Sequence, residues 1–369
     1  MKILLDARML NSGGIGRFIR EVSKRWLKDS RVSEIHFLGS RSEISGWLPK
    51  FDTRGIGKVV RWPGSVYSVA RQIAWPRVFH KLSKRVDACV FPHYDVPMVG
   101  HPARSVVMVH DLIHFRFPSG FPMGVRLPGR VLMNSALHKA SRLVTVSQYS
   151  RNDIIRWNPS MVDKLSVIMP GVCDVFRPLE ESEREDARHR WGALQPFLLT
   201  VGPAKAHKNL ELAVEVLAEA RRTQPDLRLI MVGAVGRGLR DLHRRAAALG
   251  VEDAVVGLGF LRDEYLRELY GTADALLFPS KYEGFGIPPI EALACGCPVV
   301  ASSRTAIPES VGDAGWLVDP GDKEGWVRVV SEVVARARVK NPTAGRLWAS
   351  GFSWDQTADK LLRIVETAA

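Results

Sequence analysis

Along the second half of the chain, short β-rich apolar runs (FLLTVG, RLIMVG, VVGLGF, ALLFPS and PVVAS) alternate with segments whose apolar positions recur at helical spacing. Those segments are NLELAVEVLAEARR, GLRDLHRRAAALG, DEYLRELYGTA and PPIEALACG. Apolar runs of four to six residues with no polar alternation belong to strands buried on both faces, and helices between them supply the cover. The first half repeats the arrangement less regularly, with MKILLDA, EIHFLG, DACVFPH, RSVVMVHD, RLVTVS and LSVIMPG as expected strands. Two α/β domains in series follow, each with a parallel sheet. The stretch CDVFRPLEESEREDARHRWGALQP is charged and poor in apolar residues, so the pattern predicts domains over 1–175 and 197–351 joined by a linker over 176–196. The tail FSWDQTADKLLRIVETAA reads as one more amphipathic helix, residues 352–369. Ligands of open α/β sheets bind beyond the carboxyl ends of the strands, so two such domains face to face are expected to form one deep cleft.

Composition narrows the class. At 369 residues, 46% apolar and 25% charged, the chain can bury a large core in more than one domain. No run is long enough to span a membrane, and Met1-Lys2 leads into ILLDAR without a signal-peptide layout. Cys89, Cys173, Cys295 and Cys297 lack zinc-pair spacing and read as reduced packing residues, the expectation for a cytoplasmic protein. The net charge of +13 is uneven: residues 1–175 carry 27 Lys/Arg against 12 Asp/Glu, a net of +15, and residues 176–369 carry 25 against 27, a net of −2. Between Asp52 and Asp87 there is no acid, and the cations of residues 54–85 alternate with Trp62, Tyr67, Trp75 and Phe79. That mixture suits an anionic membrane surface, and equally a solvated helical face with a few core aromatics. No nucleic-acid motif accompanies the charge, so nucleic acid is not an expected partner.

Several strand ends carry candidate chemistry. After the first strand, Gly13, Gly14 and Gly16 open an expected helix near Ile15, where free N–H groups favour an anion; the order is not that of the dinucleotide fingerprint, and a plain strand-to-helix turn reads as well. His110 and Asp111 end the strand SVVMV. In the second domain Gly202 follows a strand, and Lys205, His207 and Lys208 precede a helix; a lysine there can neutralise a diphosphate. The most specific stretch is KYEGFGIPPIEALACGCPVVAS. Glu283 leads its loop, the glycines around Phe285 allow close backbone approach, and Pro288 and Pro289 suit a first helical turn. Glu291 is expected in that turn, where its two oxygens can accept both hydroxyls of a vicinal diol such as ribose, or where it simply caps its helix. No Asp-x-Asp occurs, so the expected site is metal-free.

With these blocks in order, the chain resembles the retaining GT-B glycosyltransferases of family 4 over nearly its whole length. SGGIGRFIREV, MVHDLIHFRFP, TVGPAKAHKNL and above all GFLRDEYLRELYGTADALLFPSKYEGFGIPPIEALACGCPVVAS carry the resemblance. It implies two Rossmann-like domains, a final helix returning to the first domain, and a hexose moved from a nucleotide-diphosphate sugar to a glycan or lipid-linked glycan in cell-surface polysaccharide synthesis. It implies no further cofactor. Glu283 resembles the family's acid against the donor sugar, Glu291 the acid on the ribose, and Lys208 the diphosphate lysine. Gly13 and Gly14 resemble the glycine-rich loop beside the donor phosphates, and His110 the histidine near the transferred sugar. Phe285, Gly286 and Ile287 resemble the loop whose backbone meets sugar and phosphate. Similarity to mannosyl- and rhamnosyltransferases tilts the donor toward a GDP-sugar. Pro203 and His207 stand where many members carry arginine, which leaves the second phosphate ligand open. Rival classes are a nucleotide-sugar epimerase of the same fold and a non-catalytic basic scaffold.

Overall fold

The computed structural model describes residues 1–62, 79, 82, 84–117, 123–191, 196–336 and 341–368. Most of the basic aromatic segment 54–85, whose sequence suits a membrane face and a solvated helical face equally, lies outside the described residues. Among the described residues no helix is long and apolar enough to cross a membrane. The chain divides into two compact units, Met1–Gly171 with Ser353–Ala369, and Val172–Phe352.

In the first unit the strands are β1 (Lys2–Asp6), β2 (Glu34–Gly39), β3 (Gly57–Arg61), β4 (Ala88–Phe91), β5 (Ser105–Met108), β6 (Arg142–Thr145) and β7 (Leu165–Val167). They form one parallel sheet in the order β3-β2-β1-β4-β5-β6-β7. The order reverses between β1 and β4, so the carboxyl ends of those two strands mark the switch point of this sheet. The helix Trp354–Ala368 belongs to this unit: the Trp26 indole donates to the Ala358 carbonyl (3.0 Å) and the Thr357 hydroxyl to the Met169 carbonyl (2.7 Å).

The second unit contains β8 (Phe197–Val201), β9 (Arg228–Val232), β10 (Val255–Gly259), β11 (Ala275–Phe278), β12 (Val299–Ser302) and β13 (Trp316–Val318), all parallel in the order β10-β9-β8-β11-β12-β13. The alternation of side chains along these strands divides the core in two. Leu198, Leu229, Met231 and Leu277 enter one apolar layer with Trp326, while Phe197, Leu199, Ile230, Leu276 and Phe278 enter the other with Tyr270. Each such side chain contributes about 1.5–3 kcal/mol on burial, which is why these strands read as unbroken apolar runs. Here the order reverses between β8 and β11.

Residues 176–191, which composition suggested as linker, pack within the second unit. Phe176 is buried against Tyr270, and the buried Arg267 donates to the carbonyls of Arg177 (2.9 Å) and Pro178 (2.8 Å) and pairs with Glu183. A charged surface helix, Glu181–Trp191, looks like a linker in sequence because its only buried residue is Ala187.

The first helix, Gly13–Trp26, begins two residues earlier than its sequence suggests. Of its glycines, Gly16 is the one that packing demands: a Cβ there would stand 2.5 Å from the Leu10 carbonyl oxygen and 2.8 Å from that of Met9. Because both obstacles are backbone, Gly16→Ala is expected to destabilise the protein by about 1–3 kcal/mol, read as a lower urea midpoint. An unchanged midpoint would mean that the helix can shift away from residues 9–10.

Candidate active site

In the second unit the site grows from the β8–β11 switch point. After β8 the chain makes one short turn of 3₁₀ helix, Ala206–Lys208, and after β11 it runs into the loop that holds Glu283. The two loops are tied by the Lys281 N–H donating to the His207 carbonyl (2.7 Å). That tie brings Lys208 Nζ to 2.7 Å from Glu283 Oε1, with each side chain 14% exposed. The ammonium also lies 5.3 Å from the centroid of the Phe278 ring, a cation–π contact from the last residue of β11. The cation is therefore partly desolvated and balanced by an acid from the neighbouring loop.

Beyond Glu283 the loop packs Phe285 edge-on against Phe352 (5.7 Å) and turns at Gly286, whose φ of +109° and tight space (Ser310 Oγ 3.1 Å from an added Cβ) exclude other residues. The helix Ile287–Ala294 starts there, with Pro288 and Pro289 next. Prolines carry no N–H, so the donors left at this helix start are those of Gly286 and Ile287. Glu291, expected in the first turn, is in the second, because the helix begins at Ile287. It is buried (3% exposed) and accepts a hydrogen bond from the Tyr270 hydroxyl (3.3 Å). Burial pushes His207 down to about 4, helped by Lys208 and Lys205 and opposed by Glu283.

In the first unit Gly13 has a φ of +48° and opens its helix with Gly14, both exposed. His110, just past β5, lies edge-on to Phe18 (5.9 Å) and donates from Nε2 to the Pro92 carbonyl (2.9 Å). Burial above all holds its pKa at about 4, so near neutral pH the ring is uncharged and its Nδ1 is an acceptor. His110 there is no acid.

One cluster at the β1–β4 switch point is not among the residues that sequence patterns single out. Asp6 ends β1, and the Arg8 guanidinium forks across Asp6 (2.7 and 3.0 Å) and Asp95 (3.0 Å), donating also to the Asp95 carbonyl (2.7 Å). All three side chains are at most 3% exposed. The Asp95 N–H donates to His93 Nδ1 (3.2 Å), which leaves Nε2 to carry the proton and donate to Asp6 Oδ2 (3.1 Å). Burial alone would raise the Asp6 carboxyl, but Arg8 and His93 outweigh it and hold the pKa far below the usual range. The available signal was an Asp-Ala-Arg directly after an apolar strand. Among the described residues no three His, Cys, Asp or Glu side chains gather as a metal cage.

Known proteins place this arrangement in a family. Residues 181–364 match the family model "Glycosyl transferases group 1". The chain is 30% identical to the O-antigen chain mannosyltransferase B of Escherichia coli over 325 residues, 84% of each protein. It is 35% identical to the D-inositol 3-phosphate glycosyltransferase of Geodermatophilus obscurus over 347 residues, 89% of this chain and 73% of that one. The crystal structure of Anabaena HepE in complex with UDP and glucose superposes over the full length of both chains with a TM-score of 0.79 at 21% identity. The chain belongs to the group 1 glycosyltransferases, and both units have the parallel α/β architecture of the GT-B fold.

Two outcomes follow from the buried charges. Arg8→Met strands two buried carboxylates and is expected to cost about 3–5 kcal/mol in equilibrium unfolding; a loss below about 1 kcal/mol would show the network to be dispensable. His101, partly buried beside Phe91 with Nε2 2.8 Å from Ser105 Oγ, sits at about 4 because of its burial, as His110 and His207 do, below the usual histidine value near 6.5. Between those values the unfolded chain binds more protons, so their contribution is complete above about pH 6.5 and is lost as the pH falls toward about 4. Imidazole nitrogen shifts should report all three rings neutral at pH 5.5, and protonated rings at that pH would contradict the burial described.

Proposed function

We propose that this protein is a retaining hexosyltransferase of family 4 that moves a sugar, with mannose the first to test, from a nucleotide-diphosphate donor to a hydroxyl of a glycan or lipid-linked glycan. The observation that carries the reading is the Lys208–Glu283 pair, 2.7 Å apart at the switch point of a parallel sheet. In this reading the donor diphosphate takes Lys208, while Glu283 turns to the sugar hydroxyls. Gly286 and Ile287 give backbone donors to phosphate, and Phe285 backs the loop. Glu291 accepts the ribose hydroxyls, sharing its carboxylate with Tyr270. Gly13 and Gly14 line the acceptor side of the donor phosphates, and neutral His110 accepts from a hydroxyl of the transferred sugar through Nδ1.

Loss of the nucleoside diphosphate moves negative charge onto the leaving oxygen, and a preorganised ammonium there stabilises that transition state more than the ground state. The same leaving oxygen accepts the proton of the attacking hydroxyl on the same face, so the bond from sugar to phosphate breaks as the bond to the acceptor forms. No charged histidine is needed for this, in keeping with the depressed pKa of His110. The E. coli and G. obscurus relatives, both named for glycosyl transfer, support the transferase class, and the E. coli name, an O-antigen chain mannosyltransferase, supports a glycan-assembly role.

Purified protein assayed with GDP-mannose and UDP-glucose should release nucleoside diphosphate mainly when a glycan acceptor is added. An epimerase would instead turn over donor alone. Lys208→Ala should lower kcat about 10²–10³-fold, as expected for removal of one group that stabilises developing charge; near-normal turnover would sink the assignment.

A further inference from the structure

Among the described residues three non-glycine positions have positive φ: Asn209 (+55°), Thr305 (+59°) and Arg336 (+55°). Arg336 lies just past the helix Lys323–Val334, where a left-handed residue is a common ending. The other two flank the ion pair. Asn209 follows Lys208 directly, and asparagine tolerates this region. Thr305 is different, because a β-branched residue is a true outlier there.

The turn around Thr305 does not itself call for threonine. It is closed without the Thr305 side chain: the Ile307 N–H donates to the Arg304 carbonyl (3.3 Å), the Arg304 N–H donates to the Ser302 side-chain Oγ (3.2 Å), and Ala306 and Ile307 are fully buried behind it. Glycine would satisfy that conformation without strain. What threonine adds is its hydroxyl, and Thr305 Oγ1 accepts the backbone N–H of Glu283 (3.1 Å). Strain that persists beside a functional group is evidence of a constraint served there.

We propose that Thr305 is a positioning residue of the donor site: its hydroxyl fixes the Glu283 backbone, and so aims the Glu283 carboxylate at the donor sugar beside Lys208. The inference rests on the reading of Glu283 as a sugar-binding acid. It sets an unusual expectation, since the variant that relaxes the backbone should impair the site. A freed Glu283 backbone loosens the grip on the sugar, whereas the diphosphate is held by Lys208 and the helix start.

The test is calorimetric titration of the full chain with GDP-mannose and GDP, and with UDP-glucose and UDP, alongside thermal unfolding. Thr305→Gly should bind the nucleotide sugar about five-fold more weakly, the equivalent of one ordinary hydrogen bond. Its affinity for the nucleoside diphosphate should stay within about two-fold, and its Tm should equal or exceed that of the parent, because the strained φ is relieved. Thr305→Ser, which keeps a hydroxyl, should recover most of the sugar affinity, and Thr305→Val, which keeps only the branch, should not. Equal weakening toward both ligands, or a fall in Tm with Thr305→Gly, would reduce Thr305 to a structural residue and overturn the proposal. Unchanged sugar affinity in Thr305→Gly while Glu283→Gln binds the sugar weakly would also overturn it, leaving the donor reading intact. If Glu283→Gln too binds as the parent does, or if neither nucleotide sugar binds the parent, the donor reading fails and the proposal with it.

Discussion

A parallel sheet covered on both faces has no free surface except at its strand ends, and this constraint governs where either unit can do chemistry. In the second unit, alternate residues of β8, β9 and β11 are committed to one apolar layer or the other, which leaves polar groups to the loops beyond Val201 and Phe278. Those loops are adjacent because β8 and β11 are paired, with Leu276 beside Leu199. The ion pair of Lys208 and Glu283 is the product: two residues 75 positions apart in sequence, joined because their strands are neighbours at the switch point.

The first unit answers the same constraint differently. Its β1–β4 switch point is filled by Asp6, Arg8, His93 and Asp95, charges taken out of water and satisfied by one another. Such networks hold geometry at a large desolvation cost and stabilise little in net terms. Here the network fixes the path of the chain from β1 toward Gly13 and of the chain beyond β4, the segment whose Pro92 carbonyl anchors His110. Rigid strand ends position these groups better than a free loop would.

How much of this the sequence disclosed depends on the range of each interaction. Most strands, though not β3 or β13, and the helices between β8 and β12 were legible because burial on both faces writes itself as runs such as FLLTV and ALLF. Residues 176–191 were not, since what fastens them is Arg267, some 80 to 90 positions away, gripping carbonyls that any sequence has. Lys208, Glu283 and Glu291 were marked by their motif, yet the motif could not say that Glu291 is buried against Tyr270 or that Lys208 leans on Glu283. Thr305 left no trace at all, because neither a φ nor a hydrogen bond to a distant backbone N–H is encoded in local pattern.

The central claim is that the cation at the β8–β11 switch point exchanges its internal acid for a donor diphosphate. A crystal structure with GDP-mannose or UDP-glucose bound tests it most directly. The account predicts Lys208 Nζ within about 2.7–3.2 Å of a diphosphate oxygen and Glu283 turned onto the sugar hydroxyls. A diphosphate bound elsewhere, with Lys208 and Glu283 still paired to each other alone, would contradict it.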